Sequence, residues 1–497
     1  MSLRRKIAYN TAIQMVGKIA GTVLSLVVAS LVYRHLHDTG FGQYTTILSF
    51  LQIFGILMDL GLYVILVKRM ANIDGRESIV VDTIFTVRLI SGIIFLAAAP
   101  LGAWLISFRH PQYSGEMISG IALTSLFFLF ISLNQLIAAI FQKFLRTSWI
   151  AIAEFVGKIV LCAATVAVIW LHLGLLAILF TLVLSSATNF FINFFASRKY
   201  FSIHFRFDRA VCRSVLTEAW PIALSIAFGL IYFKGDVVVL SFYKTSQEIG
   251  WYGAPYKILE VLVSLPAMFT GLALPILAGA WQQQDKMRFQ ELFQKSFDAL
   301  AMIALPMIAG TWVLAPMMMT IIQGDDGVHS EHILRILIIA TAAIFIGTLT
   351  GYIVVAVNRQ RAMVWGYFFI ALTSLLGYMV VIPRFSITGA AWVTVYSEVA
   401  MMLISLTLIL RTAHINVGLN RFIKSIVSAA VMYIVLGLLL RALQYFLNNR
   451  HITLSHFTFA FIALALLVPL GGIIYLAALF LTRAIRPQEL RSLVRIK

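Results

Sequence analysis

The chain has 497 residues, of which 61% are apolar and 12% charged, with mean hydropathy +0.94 and a formal net charge of +18. Soluble proteins carry about 25% charged residues, so this composition excludes an ordinary soluble domain and indicates an all-α, polytopic membrane protein.

Apolar segments of about 20 residues, each able to cross ~30 Å of hydrocarbon, recur about fourteen times with no room left for a soluble domain. The first, Ala12 to Tyr33, follows Arg4, Arg5 and Lys6. It continues past a signal-peptide core and contains Lys18, which makes it an uncleaved span; Gly17 and Gly21, four apart, permit close helix approach. The second, Tyr44 to Val67, holds Asp59, and the third, Val80 to Ser107, holds Arg88. Met117 to Phe141 comes next, then Trp149 to Leu171, in which Glu154 and Lys158 lie four apart in the favourable acid-first order. The sixth is Leu175 to Phe195.

After a basic linker, Glu218 to Phe242 carries Lys234 and Asp236, and Tyr252 to Trp281 carries Lys257 and Glu260. The eighth and ninth spans, the latter Ala299 to Ile322, contain Pro255, Pro266, Pro275, Pro306 and Pro316. Each interior proline removes a backbone hydrogen bond, which leaves two readings: helices that bend during work, or static curvature. The series closes with Ile333 to Val357, Ala362 to Ile382, Ile387 to Leu410 with Glu398, Ile423 to Leu443, and Phe457 to Leu481.

Of the 38 Lys and Arg residues, 25 fall in the termini and even-numbered connections; the odd-numbered ones hold only Arg34, Arg109, Lys244, Arg384 and Arg450. This bias places both termini in the cytoplasm. It also accounts for the net charge without nucleic acid, since one basic face attracts anionic lipid. Cys162 in a span and Cys212 in a predicted cytoplasmic loop are not expected to form a disulfide.

Lys18, Asp59, Arg88, Glu154, Lys158, Asp236, Lys257, Glu260 and Glu398 all lie deep in spans, where each costs about 2.5 to 3.5 kcal/mol unless it faces a bundle interior or a watery cavity. Counting residues from the connecting loops puts Asp59 level with Lys18 and with Arg88, Asp236 level with Lys257, and Lys234 level with Glu260. Such pairs either staple helices together or serve a functional site. No HExxH, CxxC, P-loop or GxSxG motif occurs, and no cofactor is implied. Asp325 and Asp326 read as an exposed turn, two acids being too few to hold a cation.

Phe41-Gly42-Gln43-Tyr44 and Ile249-Gly250-Trp251-Tyr252 stand 208 residues and six spans apart, the signature of parallel internal repeats. Around them lie Glu218-Ala219-Trp220-Pro221, Tyr232-Phe233-Lys234-Gly235-Asp236, Tyr256-Lys257 with Glu260, Arg34, Asp59-Leu60-Gly61 and Phe141-Gln142. In order and spacing this set resembles bacterial polysaccharide repeat-unit flippases, from about Arg5 to Arg411. Those proteins belong to the multidrug, oligosaccharidyl-lipid and polysaccharide exporter superfamily.

The resemblance implies two six-helix lobes, residues 1–197 and 217–415, related by a pseudo-two-fold axis along the membrane normal about a central cavity. Residues 198–216 join them, and residues 416–497 add two helices and a basic tail. The implied cargo is an undecaprenyl-diphosphate-linked oligosaccharide, flipped to the outer leaflet and passed to polymerase and chain-length machinery. Its diphosphate suits the basic residues Lys18, Arg88, Lys158, Lys234 and Lys257, with Asp59, Glu154, Asp236, Glu260 and Glu398 as charge partners or ion-coupling groups. Arg34-His35-Leu36-His37-Asp38 departs from the lipid II flippase pattern at this point, and the first span lacks the carboxylate of multidrug exporters. Drug or small-cation export, and a membrane polymerase or ligase, are the alternative readings; the latter lacks a catalytic outer loop.

Overall fold

A computed structural model describes residues 3–55, 58, 61–72, 77–144, 146–200, 204–450 and 454–485. Asp59 and the side chain of Lys18 lie outside the described part. The described residues are helical, without strands. Helix α1 runs Leu3–Phe54, α2 Leu62–Asn72, α3 Glu77–Ser107, α4 Gly115–Lys143, α5 Ser148–Trp170, α6 Leu175–Ser197 and α7 Arg209–Tyr243. Then come α8 Ser246–Gln282, α9 Lys286–Gln323, a 3₁₀ turn at Gly324–His329, α10 Glu331–Ala356, α11 Gln360–Ala413, α12 Asn420–Asn449 and α13 His456–Leu481.

Two of these helices each contain two spans. His37 (φ 55°) breaks α1, and Ser386 (φ 50°) breaks the 54-residue α11. The connection expected near Thr39 is thus a one-residue break at His37. Within the expected second span, α1 ends at Phe54 with a turn at Gly55, and after a turn at Gly61 helix α2 completes the span. Gly61 has φ 69°, and a Cβ there would lie 3.2 Å from the Ala219 carbonyl oxygen and the Ala223 nitrogen, so only glycine suits the position. Counted this way, the helices make fourteen spans, and ten described helices are individually long and apolar enough to cross a membrane. Asp325 and Asp326 sit exposed in the 3₁₀ turn, Cys162 and Cys212 are free thiols, and Gly17 and Gly21 pack α1 against Ala151 and Lys158 of α5.

The chain forms two compact units, residues 1–253 with 371–386 and residues 254–370 with 387–497. In the first, α2, α3, α4, α6 and α7 share a core around Leu66, Ile84, Ile137, Phe141 and Ala219. In the second, α12 and α13 pack on α9 around Leu314, Met432, Leu436 and Leu467, with Gly471 making room for Leu436.

In each unit a buried aspartate lies in a hydrogen-bond network that fastens a non-helical connection. Asp82 on α3 accepts the His204 backbone N–H at 2.8 Å, while Thr83 accepts that of Asp208 and Thr86 donates to the Arg206 carbonyl. Asp298 on α9 accepts Gln294 at 2.8 Å and lies 3.9 Å from Arg421; Gln294 in turn holds both the N–H and the carbonyl of Gly418.

Candidate functional site

The repeated tetrapeptides meet where α1 and α8 cross. A Cβ on Gly42 would overlap the Ser246 carbonyl, one on Gly250 would overlap the Asp38 carbonyl, and Gly253 faces the Thr45 side chain with no room for a Cβ. Backbone contact this close requires glycine. Directly after the His37 break, the Asp38 carboxylate accepts the Trp251 Nε1–H at 2.8 Å and the Gln247 amide at 3.4 Å, and also takes the Tyr33 hydroxyl. Ser386, at the other one-residue break, donates to Glu248. Charge-assisted bonds of this kind are about twice as strong as neutral ones, so both breaks are held by carboxylates.

Beyond the crossing lie the buried charges. Asp236 is 0% exposed on α7; one carboxylate oxygen accepts the Tyr252 hydroxyl at 2.6 Å and the other the Val237 N–H at 2.7 Å. Lys234, 5% exposed, stands 5.3 Å from the Phe233 ring centroid, and the Tyr378 hydroxyl donates to the Tyr232 carbonyl two residues before it. Arg88 is fully buried on α3 and donates to the Ser132 carbonyl (2.6 Å) and to Gln135 Oε1 (3.2 Å), both on α4. Glu398 is 7% exposed on α11. Lys257 and Glu260, matched by depth to residues of α7, form a 3.0 Å ion pair with each other along α8. Lys158 is half-buried on α5, and Glu154 on the same helix is exposed.

Known proteins sharpen this reading. The family model described as polysaccharide biosynthesis protein matches residues 5–281, more than half of the 497. The chain belongs to the polysaccharide biosynthesis protein family. Among curated relatives of this family member, a putative O-antigen transporter of Shigella dysenteriae is 26% identical over 38% of this chain. That match spans only about half (48%) of the transporter's own length. The amylovoran biosynthesis protein AmsL of Erwinia amylovora is 26% identical over 58% of this chain and 74% of its own. The lipid II flippase MurJ, in an inward closed conformation, superposes with a TM-score of 0.74 at 14% identity, covering 95% of this chain and 98% of that one. An inward-facing multidrug resistance transporter of the MATE family gives 0.64 at 11% identity, over 81% and 98%. At such identities the likeness establishes the fold alone, a bundle of membrane-spanning helices.

The residue count from loops missed Asp38, Glu248 and the Tyr252 hydroxyl. The repeat was the available signal for them, because Asp38 and Glu248 each lie within four residues of a motif glycine and Tyr252 ends the second motif.

Proposed function

We propose that the chain is a flippase that moves undecaprenyl-diphosphate-linked oligosaccharide repeat units from the cytoplasmic to the outer leaflet of the bacterial inner membrane. The supporting observation is that Arg88, Lys234, Asp236 and Glu398 are at most 7% exposed inside apolar helices of a member of the polysaccharide biosynthesis family. Ionisable residues inside membrane spans mark substrate and ion pathways.

In this reading, a diphosphate entering from the cytoplasm meets Lys18, Lys158, Lys234 and Lys257, and Glu260 is the anion it replaces at Lys257. Arg88 must exchange its α4 carbonyl and amide to reach a phosphate, so it acts when α3 and α4 part or else holds them together. Asp59, Glu154, Asp236 and Glu398 balance the bases while the site is empty. Alternating access exposes the bases to one side and then the other. Residues 1–197 and 217–415 are the repeated halves, both termini are cytoplasmic, the basic face rests on anionic lipid, and polymerase and chain-length machinery receive the product outside.

Depletion of the protein in its native strain tests this. Lipid-linked sugar should accumulate on the cytoplasmic leaflet while surface polysaccharide falls; accumulation on the outer leaflet would point instead to a polymerase. Rescue with K18Q/D59N and R88Q/D59N separates cargo contacts from helix staples. Full rescue by both would move the cargo contacts to Lys158, Lys234 and Lys257.

A further inference from the structure

Outside the buried charges, the facing ends of α2 and α7 flank a cavity of about 840 Å³ that is broadly open to solvent, lined by Arg69, Arg209, Arg213, Ser214, Thr217 and Glu218, of which Arg209, Arg213, Ser214 and Thr217 are exposed. Residues 209, 213 and 217 recur every four positions and therefore share one face of α7. The neighbouring row, Ser214 and Glu218, holds Arg69 of α2: Arg69 donates to Ser214 at 2.7 Å and to Glu218 at 3.0 Å, and Lys68 takes the second Glu218 oxygen at 2.6 Å. Glu218 is thereby committed to two bases. Among the described residues, no carboxylate lies within ion-pair distance of Arg209 or Arg213. The nearest acid in sequence, Asp208, caps α7 by accepting the N–H groups of Ala210 (2.8 Å) and Val211 (3.0 Å).

Like charges four apart weaken a helix, and here two of them line a cavity beside a third guanidinium and two hydroxyl groups. Because Asp208 occupies the helix N-terminus, side chains alone must bind whatever enters. Planar guanidinium forks match phosphate oxygens in bidentate fashion, and an opening this wide admits a phosphate group still attached to a larger molecule. We propose that this cavity is a phosphate-binding site, with Arg209 and Arg213 as its primary ligands and Arg69, fixed by Glu218, as its third. The ligand is a phosphate or diphosphate group, borne either by a lipid headgroup or by a water-soluble compound. The site lies apart from the buried charges assigned to cargo and does not depend on that assignment.

Binding of inorganic pyrophosphate to the purified full-length protein, followed by titration calorimetry, is the test. R209Q/R213Q should bind at least about tenfold more weakly, the factor equivalent to about 1.4 kcal/mol. K199Q/R206Q removes the same charge from exposed positions outside the cavity and should bind as the wild type does. All three proteins are compared at matched size-exclusion profiles. Repeating the titration in nanodiscs with and without phosphatidylglycerol assigns the source. Competition by that lipid in the wild type identifies a headgroup site, and its absence identifies a water-soluble phosphate; either result retains the site. Equal weakening in both double variants, or none in either, overturns the proposal.

Discussion

Replacing Gly42 or Gly250 with alanine sets two effects of opposite sign against each other. Alanine in a helix interior is favoured over glycine by about 1 kcal/mol, so local propensity predicts stabilisation. At these two positions the added Cβ falls more than an ångström inside contact distance of a backbone carbonyl, which cannot rotate away as a side chain does. Overpacking typically costs about 1 to 3 kcal/mol. Separating α1 from α8 would also stretch the 2.8 Å bond from Trp251 to Asp38, worth about 1.5 to 3 kcal/mol to a charged acceptor. The net balance is a loss of about 1.5 to 5 kcal/mol, more than tenfold against the crossed arrangement. Gly229 of α7, with nothing within 4 Å of its Cβ position, is the control, for which alanine should raise the unfolding temperature or leave it unchanged. Unfolding temperatures of the purified variants, with surface polysaccharide measured alongside, decide between the two effects. If G42A and G250A behave like G229A, the crossing is not a close backbone contact and the reasoning fails.

Other expectations follow from the site. Tyr252→Phe removes a 2.6 Å bond to buried Asp236 and should cost about 1 to 3 kcal/mol in chemical denaturation; an unchanged midpoint would show that Asp236 does not rely on that hydroxyl. Lys257→Gln breaks a partly exposed pair worth under about 1 kcal/mol, so stability should hold while transport is lost, and retained transport would remove Lys257 from the cargo path. Asp298→Ala releases Gln294 and Arg421, so limited proteolysis at residues 414–419 should accelerate; wild-type cleavage rates would mean that the linker is held by other means. Cysteines placed at Phe205 and Met287 should resist impermeant labelling of intact cells, and labelling from outside would reverse the topology.

Hydropathy made the spans legible, since a helix that crosses hydrocarbon needs an apolar run whatever its partners. The breaks were less so. His37 and Ser386 adopt positive φ without being glycine, and the apolar run through Gly55 to Gly61 reads as continuous. Counting from loops fixes the height of a charge in the membrane and not its direction around the helix axis. Lys257 and Glu260 pair along their own helix at 3.0 Å, a contact that depth alone does not distinguish from one across to α7. Asp236 accepts a tyrosine hydroxyl and a backbone N–H, and neither donor enters a census of charges. The tetrapeptide echo carried more than its four letters suggested, because a glycine repeated with its flanks marks a place where backbones touch.

The contacts at that crossing come in exchanged pairs. Gly42 abuts Ser246 and Gly250 abuts Asp38, and the two pairs interconvert when 208 is added to one partner and subtracted from the other; Thr45 and Gly253, separated by the same offset, face each other. Residue i touching j while j's counterpart touches i's, with one position touching its own counterpart, is the pattern of an isologous dimer contact about a local two-fold. The α1 and α8 crossing therefore has the form of a homodimer seam within a single polypeptide. An ancestral half-length chain could have closed the same seam between two identical copies, each needing just one glycine. Once fused, the two glycines became separate genetic targets for what had been a single requirement.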